Sequence, residues 1–302
     1  MKGFSIQVCQ RTIYRPGPMG NPRAFNNLRF HKQEVKPNMM FIMESKCREE
    51  KMEYLRVKLG YDWKLVVNCK GKSGGLALFW EKNLNVNLLS FTQGHIDVII
   101  QEGNNRIWRF TGFYGNPDKT QRGHSWVLLR RLAGMYCMPW LCMGDFNEVL
   151  QDSEKRGGVS ESWRALSEFR EAVEDCHLVD MGFTGPKFTW CNKREGAEII
   201  LERLDRGFCN SEWRDLFPDF VINHLDFWGS DHRPLLLDCG NDIVNSRIGA
   251  RSNSRRFFYE ECWSDDRECR VIVVASWAGL TEEDNALGSM LNNINYCAKR
   301  LA

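Results

Sequence analysis

Between about residues 38 and 240 the chain is written as short apolar runs, each stopped by glycine, proline, asparagine or aspartate, with helix-length stretches between some of them. A short apolar run bounded by turn formers reads as a core strand, and strands of this kind interleaved with helices restrict the chain to an α/β or α+β domain. The pattern predicts strands at 39–43, 76–79, 98–100, 107–113, 140–143, 188–190 and 235–237. Three helices are also expected. One opens at Asn21-Pro22 and carries Phe25 and Leu28, a second carries Trp126, Leu129 and Ala133, and a third carries Leu166, Phe169 and Val173. Their apolar stripes would cover sheet faces.

A chain of 302 residues with 43% hydrophobic content can bury a substantial core in one large or two modest domains. Both charge signs are interspersed and the formal net charge is +2, so any contact with a polyanion must be local. The twelve cysteines contain no C-x-x-C pair, which leaves reduced thiols used as small core residues and argues for an intracellular protein. Phe4-Ser5-Ile6-Gln7-Val8-Cys9 alternates rather than forming the apolar core of a secretory signal. The longest apolar run, 271–280, is well short of the roughly 20 residues needed to span a bilayer. A soluble protein without a membrane partner is expected, with the nucleus as a candidate compartment.

After Gly240 the chain turns polar, with Arg247, Arg251, Arg255 and Arg256 in a linker-like stretch. Apolar residues return at Phe257, Phe258, Trp263, Val271 and Trp277, which predicts a helical extension. The expected organisation is an atypical leader at 1–18, a main domain at 19–240, and a linker with helical extension at 241–302.

Chemistry gathers where apolar runs end. Trp140-Leu-Cys-Met143 stops at Gly144-Asp-Phe-Asn147, where Asp145 could orient or deprotonate a water and Asn147 could donate to a phosphate oxygen. Alone, the same four residues also read as a simple turn. Ser230-Asp-His-Arg-Pro234 sets Asp231 and His232 just before a strand, and His232 could meet a phosphoryl oxygen. Glu44 closes 39–43, and a hard cation such as Mg²⁺ needs only one or two carboxylates beside water and phosphate. Tyr114 ends another strand, and Asp205 could fix the tautomer of His232; each of these is also compatible with a plain surface or core role.

Together these motifs resemble the endonuclease/exonuclease/phosphatase superfamily, and more narrowly the endonuclease domain of plant non-LTR (LINE-type) retrotransposons. The resemblance rests on Met19-Gly-Asn-Pro-Arg-Ala24, Met43-Glu-Ser45, Ser73-Gly-Gly-Leu-Ala-Leu-Phe-Trp80, Gly112-Phe-Tyr-Gly115, 144–147, Phe188-Thr-Trp190, Arg203-Leu-Asp205 and 230–234. It implies a four-layer α/β sandwich, two packed, mainly antiparallel sheets flanked by helices. It further implies DNA phosphodiester cleavage dependent on Mg²⁺, with Mn²⁺ as the alternative. Glu44 and Asp231 would bind metal, and Tyr114, Asp145, Asn147, Asp205 and His232 would form the catalytic set. A reverse transcriptase would be supplied in trans.

One stretch departs from the family pattern. Its first strand ends in Trp-Asn-x-x-Gly, whereas Ile13-Tyr-Arg-Pro-Gly-Pro18 stands here, with Arg15 at the place of the asparagine. Two prolines oppose a central strand, because proline cannot donate to the ladder. The resulting expectation is a missing strand and reduced or absent activity, the alternative being an inactive retroelement remnant. Gly71-Lys72-Ser73 is not a phosphate-binding P-loop, since Val66 replaces its first glycine.

Overall fold

The computed structural model describes residues 5–10, 29, 32–33, 35–71, 73–103, 106–227, 230–240 and 271. The strands in chain order begin with β1 (Ser5–Gln10), β2 (Met39–Met43), β3 (Trp63–Val67), β4 (Leu76–Trp80), β5 (Asn85–Thr92), β6 (His95–Gln101), β7 (Ile107–Tyr114) and β8 (Trp140–Asp145). They continue with β9 (Lys155–Arg156), β10 (Val179–Asp180), β11 (Trp190–Cys191), β12 (Leu201–Glu202), β13 (Asp205–Cys209), β14 (Val221–His224) and β15 (Leu235–Asp238). The α-helices are α1 (Glu49–Leu59), α2 (Arg122–Ala133), α3 (Trp163–Asp175) and α4 (Ser211–Leu216).

One six-stranded sheet has the order β14-β15-β1-β2-β4-β3 and the other β10-β13-β8-β7-β6-β5, with a small sheet β11-β12-β9. Only β1 with β2 and β7 with β8 run parallel among the described pairs. Side chains alternate across each strand, and the alternation assigns the layers. Met39, Phe41 and Met43 of β2 and Leu76, Leu78 and Trp80 of β4 enter the core between the sheets, with Val98, Phe110 and Leu141 from the second sheet. Met40, Ile42, Ala77 and Phe79 point the other way and pack on Met52, Leu55 and Leu59 of α1.

On the outer face of the second sheet, α2 and α3 bring Trp126, Leu129, Phe169 and Val173 against Trp140, Cys142 and Phe208. Trp126 stacks on Phe169 at 4.4 Å. Ser162 caps α3 by accepting from the Ala165 amide, and Gly60, with φ 73°, closes α1 in the left-handed conformation. The layering is therefore helix, sheet, sheet, helix, as the resemblance implied.

The chain divides into two compact units, Met1–Asn192 with Ile200–Asn241, and Lys193–Ile199 with Asp242–Ala302. In the second unit the described residues include a single 3-10 turn, Gly196–Glu198.

The missing central strand is a correction. β1 pairs parallel with β2 over Ile6 to Gln10 and antiparallel with β15 over Ser5 to Val8, so it stands in the middle of its sheet. The alternating segment Phe4–Cys9, read only as not being a signal, supplies this strand, and Pro16 and Pro18 lie beyond its end. Arg15, the helix expected from Asn21-Pro22, and the extension expected after residue 240 fall outside the described residues, Val271 apart. The strand expected at 188–190 is shifted, to Trp190–Cys191.

Candidate active site

Both sheets deliver strand ends to one rim. Across the second sheet Tyr114 stands opposite Asp145 on the parallel pair β7–β8, and Asp205 stands opposite Asp145 on the antiparallel pair β8–β13. In the first sheet β2 ends at Met43, immediately before Glu44, and β15 begins at Leu235, just after His232-Arg233-Pro234. Contacts between Tyr114 and Glu44 and between Asp145 and Met43 help join the sheets here. The Tyr114 hydroxyl donates to Glu44 Oε1 at 2.6 Å, and the Asp145 amide donates to Met43 Sδ at 3.3 Å.

The turn 144–147 is held from both sides. Phe146 is buried in the core under α3, stacked on Phe113 at 4.9 Å and edge-on to Phe208 at 4.9 Å. That anchor leaves Asp145 and Asn147 facing the rim. Gly144 has φ 155°, and a β-carbon there would collide with the Phe113 carbonyl. A β-carbon on Gly115 would likewise meet the Phe146 carbonyl, so the strand and the turn approach as closely as they do only because both residues are glycine. Asp145 Oδ1 accepts the Asn147 amide at 2.7 Å, and Asn147 Nδ2 donates to the Gly115 carbonyl at 2.9 Å.

Three residues at this rim hold left-handed backbone without being glycine, Glu44 at φ 47°, Lys46 at φ 50° and Asn147 at φ 55°. Asparagine tolerates that region; glutamate does so at a cost, and such costs persist where neighbours fix the geometry. Next to Glu44, the Ser45 and Lys46 amides donate to the carbonyls of Gly75 and Gly74 at 3.0 and 2.9 Å. Lys46 Nζ lies 3.8 Å from Glu44 Oε2.

His232 Nδ1 is 2.8 Å from Asp205 Oδ2, both side chains being buried. Burial disfavours the imidazolium, but the Asp205 carboxylate outweighs it, with Asp145 and Asp231 adding, and the pKa is pushed up to about 9. The ligand atoms of Asp145, Asp205 and His232 all lie within 4.8 Å of one another. Two carboxylates and an imidazole converging in this way form a donor set that could hold a divalent cation.

Every site residue expected from the sequence comes to this rim, but in an unexpected grouping. The converging trio is Asp145, Asp205 and His232, whereas Glu44 and Asp231, expected to hold metal, are not members of it. Glu44 is engaged by Tyr114, and Asp231 is fixed through its carbonyl, which accepts from the Cys191 amide at 3.0 Å. Thr189 received no role from the sequence, although it sits between the two aromatics of Phe188-Thr-Trp190. Its Oγ1 accepts the Leu204 and Asp205 amides, each at 2.9 Å.

The sequence matches the Endonuclease/Exonuclease/phosphatase family over residues 28–232. No curated protein matches it. Among solved structures, the endonuclease domain of TRAS1, a telomere-specific non-LTR retrotransposon, is similar with TM-score 0.58 at 15% identity, covering 78% of this chain and 98% of that one. The AP endonuclease LMAP from Leishmania major is similar with TM-score 0.59 at 15% identity, over 78% of this chain and 87% of that one. The 3'-5' exonuclease NExo from Neisseria meningitidis gives 0.56 at 14% identity, over 78% and 98%. At these identities the likeness is one of fold.

Proposed function

Because this chain belongs to the Endonuclease/Exonuclease/phosphatase family, we propose that it is a divalent-metal-dependent phosphodiester hydrolase acting on DNA, an endonuclease of retrotransposon origin. The observation that carries the reading is the convergence of the buried Asp145, Asp205 and His232, whose ligand atoms all lie within 4.8 Å of one another. The catalytic unit is taken to end near residue 240, with 241–302 as an extension. Among the described residues no helix is long and apolar enough to cross a membrane.

The roles follow from the geometry. Asp145, held by the Asn147 amide, orients a water and takes its proton as the water attacks phosphorus. Asn147 keeps its second Nδ2 hydrogen for a phosphate oxygen. With a pKa near 9, His232 is an imidazolium at neutral pH, and Asp205 holds it so that it faces the negative charge growing on the phosphoryl oxygens. Tyr114 positions Glu44 and lies beside the same phosphate path. Mg²⁺ or Mn²⁺ held by Glu44, Asp231 and the adjoining carboxylates would neutralise phosphate charge and stabilise the leaving oxygen.

An inactive remnant would lack the first strand as well as its asparagine. The strand is present as β1, and Gln10 at its end is in register with Met43, one residue before Glu44. We therefore favour a working enzyme. Purified protein should nick supercoiled plasmid with Mg²⁺, stop with chelator, and lose nicking in Asp145→Ala. A folded wild type that leaves the plasmid supercoiled would establish the remnant instead.

A further inference from the structure

The catalytic histidine and the aspartate that holds it come from different sheets, and a short segment spans the gap between them. Thr189, Trp190 and Cys191 face both ways. On one side β11 pairs with β12, Trp190 opposite Glu202 and Cys191 opposite Leu201, while the Thr189 amide donates to the Glu202 carbonyl at 2.9 Å. On the other side Trp190 bridges His232, the Cys191 amide donates to the Asp231 carbonyl at 3.0 Å, and the Arg233 amide donates to the Thr189 carbonyl at 2.7 Å.

Thr189 is the knot in this strut. It is wholly buried, and its Oγ1 accepts two consecutive amides, Leu204 and Asp205, at 2.9 Å each, where the chain passes from β12 into β13. A hydroxyl oxygen has two lone pairs, and both are used. One residue therefore ties the backbone of Asp205 through its side chain and the backbone beside His232 through its carbonyl.

We infer that Thr189 is a positioning residue for the His232–Asp205 pair, setting the 2.8 Å Nδ1–Oδ2 distance through hydrogen bonds to the backbone on both sides. Asp205 cannot be set by its strand alone, because its carboxylate reaches out of its own sheet. The hydroxyl is the needed chemistry: valine has the same shape but leaves both amides without an acceptor, and serine keeps the acceptor. The consequence for turnover rests on the hydrolase reading above, whereas the positioning itself does not.

The test compares Thr189→Val, Thr189→Ser and Thr111→Val. Thr111 is a remote control, equally buried, donating to Asp97 at 2.6 Å and accepting from Trp140 Nε1 at 2.8 Å. The first readout is the low-field proton resonance of the His232 Nδ1–H, identified by its loss in His232→Ala. It should shift or vanish in Thr189→Val, return in Thr189→Ser and stay in place in Thr111→Val. The second readout is DNA cleavage, where Thr189→Val should lower kcat roughly 10- to 100-fold with little change in KM. A wild type without the resonance, a resonance indifferent to Thr189→Val, or an equal shift in Thr111→Val would overturn the inference. If the resonance responds as expected and no variant or wild type cleaves DNA, the hydrolase reading fails and the positioning role stands.

Discussion

Two buried charge clusters flank the start of β13, and they differ in the cation that answers their carboxylates. Arg203 and Arg206 meet Glu154 and Asp180 in a closed network, with Arg203 2.8 Å from each acid and Arg206 2.8 Å from Glu154 and 3.0 Å from Asp180. Burial pushes both acids toward their neutral forms, but the two guanidiniums more than offset it and hold both pKa values down. Between these arginines in sequence, Asp205 joins Asp145 and is met by the His232 imidazole at 2.8 Å. Guanidiniums hold their charge at any working pH, whereas an imidazole beside two carboxylates can change charge, which suits a site that meets a charged ligand. Asp97 and Arg109, fully buried and bonded at 2.8 and 2.9 Å, repeat the guanidinium pattern under α2.

The sharpest way to separate the clusters is to remove one member of each. Asp145→Asn should cut DNA cleavage by about 10³-fold or more, since it removes the base, while leaving Tm unchanged or a few degrees higher because a like charge is gone. Arg206→Met should do the reverse, stranding Glu154 and Asp180 at a cost of about 3–5 kcal/mol and lowering Tm by roughly 10 °C. Equal Tm losses in a melting series would erase the distinction.

The pH dependence of stability offers a second separation, measured with chelator present. His95 and His224 are buried neutral, and burial holds both near pKa 4. The folded state then binds fewer protons than the unfolded one, so this contribution is full above about pH 6.5 and is lost as pH falls toward 4. His232 has the opposite sign. Raised to about 9, it contributes stability below about pH 6.5 that fades as pH rises through 9. Each is worth on the order of 3 kcal/mol. Asp205→Asn should flatten the alkaline limb of a denaturation series far more than it changes the acid limb, where Asp205 acts on His224 only as one of several weaker neighbouring charges; an equal change in both limbs would contradict the assignment of the alkaline limb to His232.

The smallest effect is thermal stabilisation by cation. Millimolar Mg²⁺ or Mn²⁺ should raise Tm by a few degrees in wild type and in Arg206→Met, corresponding to about 1–3 kcal/mol, and do nothing for Asp145→Asn. A rise in all three would place the ion elsewhere.

The sequence reading reached furthest where one strand buries both faces. The run Met39–Met43 was bounded correctly, and the apolar periodicity of Leu166, Phe169 and Val173 placed α3. Helix α1 was overlooked because Tyr54 and Val57, both exposed, blur the stripe of Met52, Leu55 and Leu59. Strand β13 was invisible for a different reason. Its residues Asp205 and Arg206 look like a solvated charge run, and only distant partners make their burial tolerable, Asp180 and Glu154 at 26 and 52 positions for Arg206 and His232 at 27 positions for Asp205. Strand β1 is legible as alternation, but its central place is not, because that depends on pairing with Met39–Met43 and Leu235–Asp238 far along the chain.

For the site, the motifs pick out Asp145, Asp205 and His232 as candidates but cannot say that these three would converge. Spacing carries no information on that point, because the trio draws on positions 145, 205 and 232 through pairings across three strands and two sheets. Thr189 shows the same limit. A buried threonine between two aromatics gives no local sign that its hydroxyl ties two segments together.

The distinction between the two clusters is tested most directly by calorimetric titration of Mn²⁺ into the purified protein, beside Asp145→Asn and Arg206→Met. The expected result is saturable binding by wild type and Arg206→Met, weakened at least about tenfold in Asp145→Asn, as loss of one carboxylate ligand implies. Absent binding in wild type, or equal affinity in Asp145→Asn, would contradict a cation site at this rim.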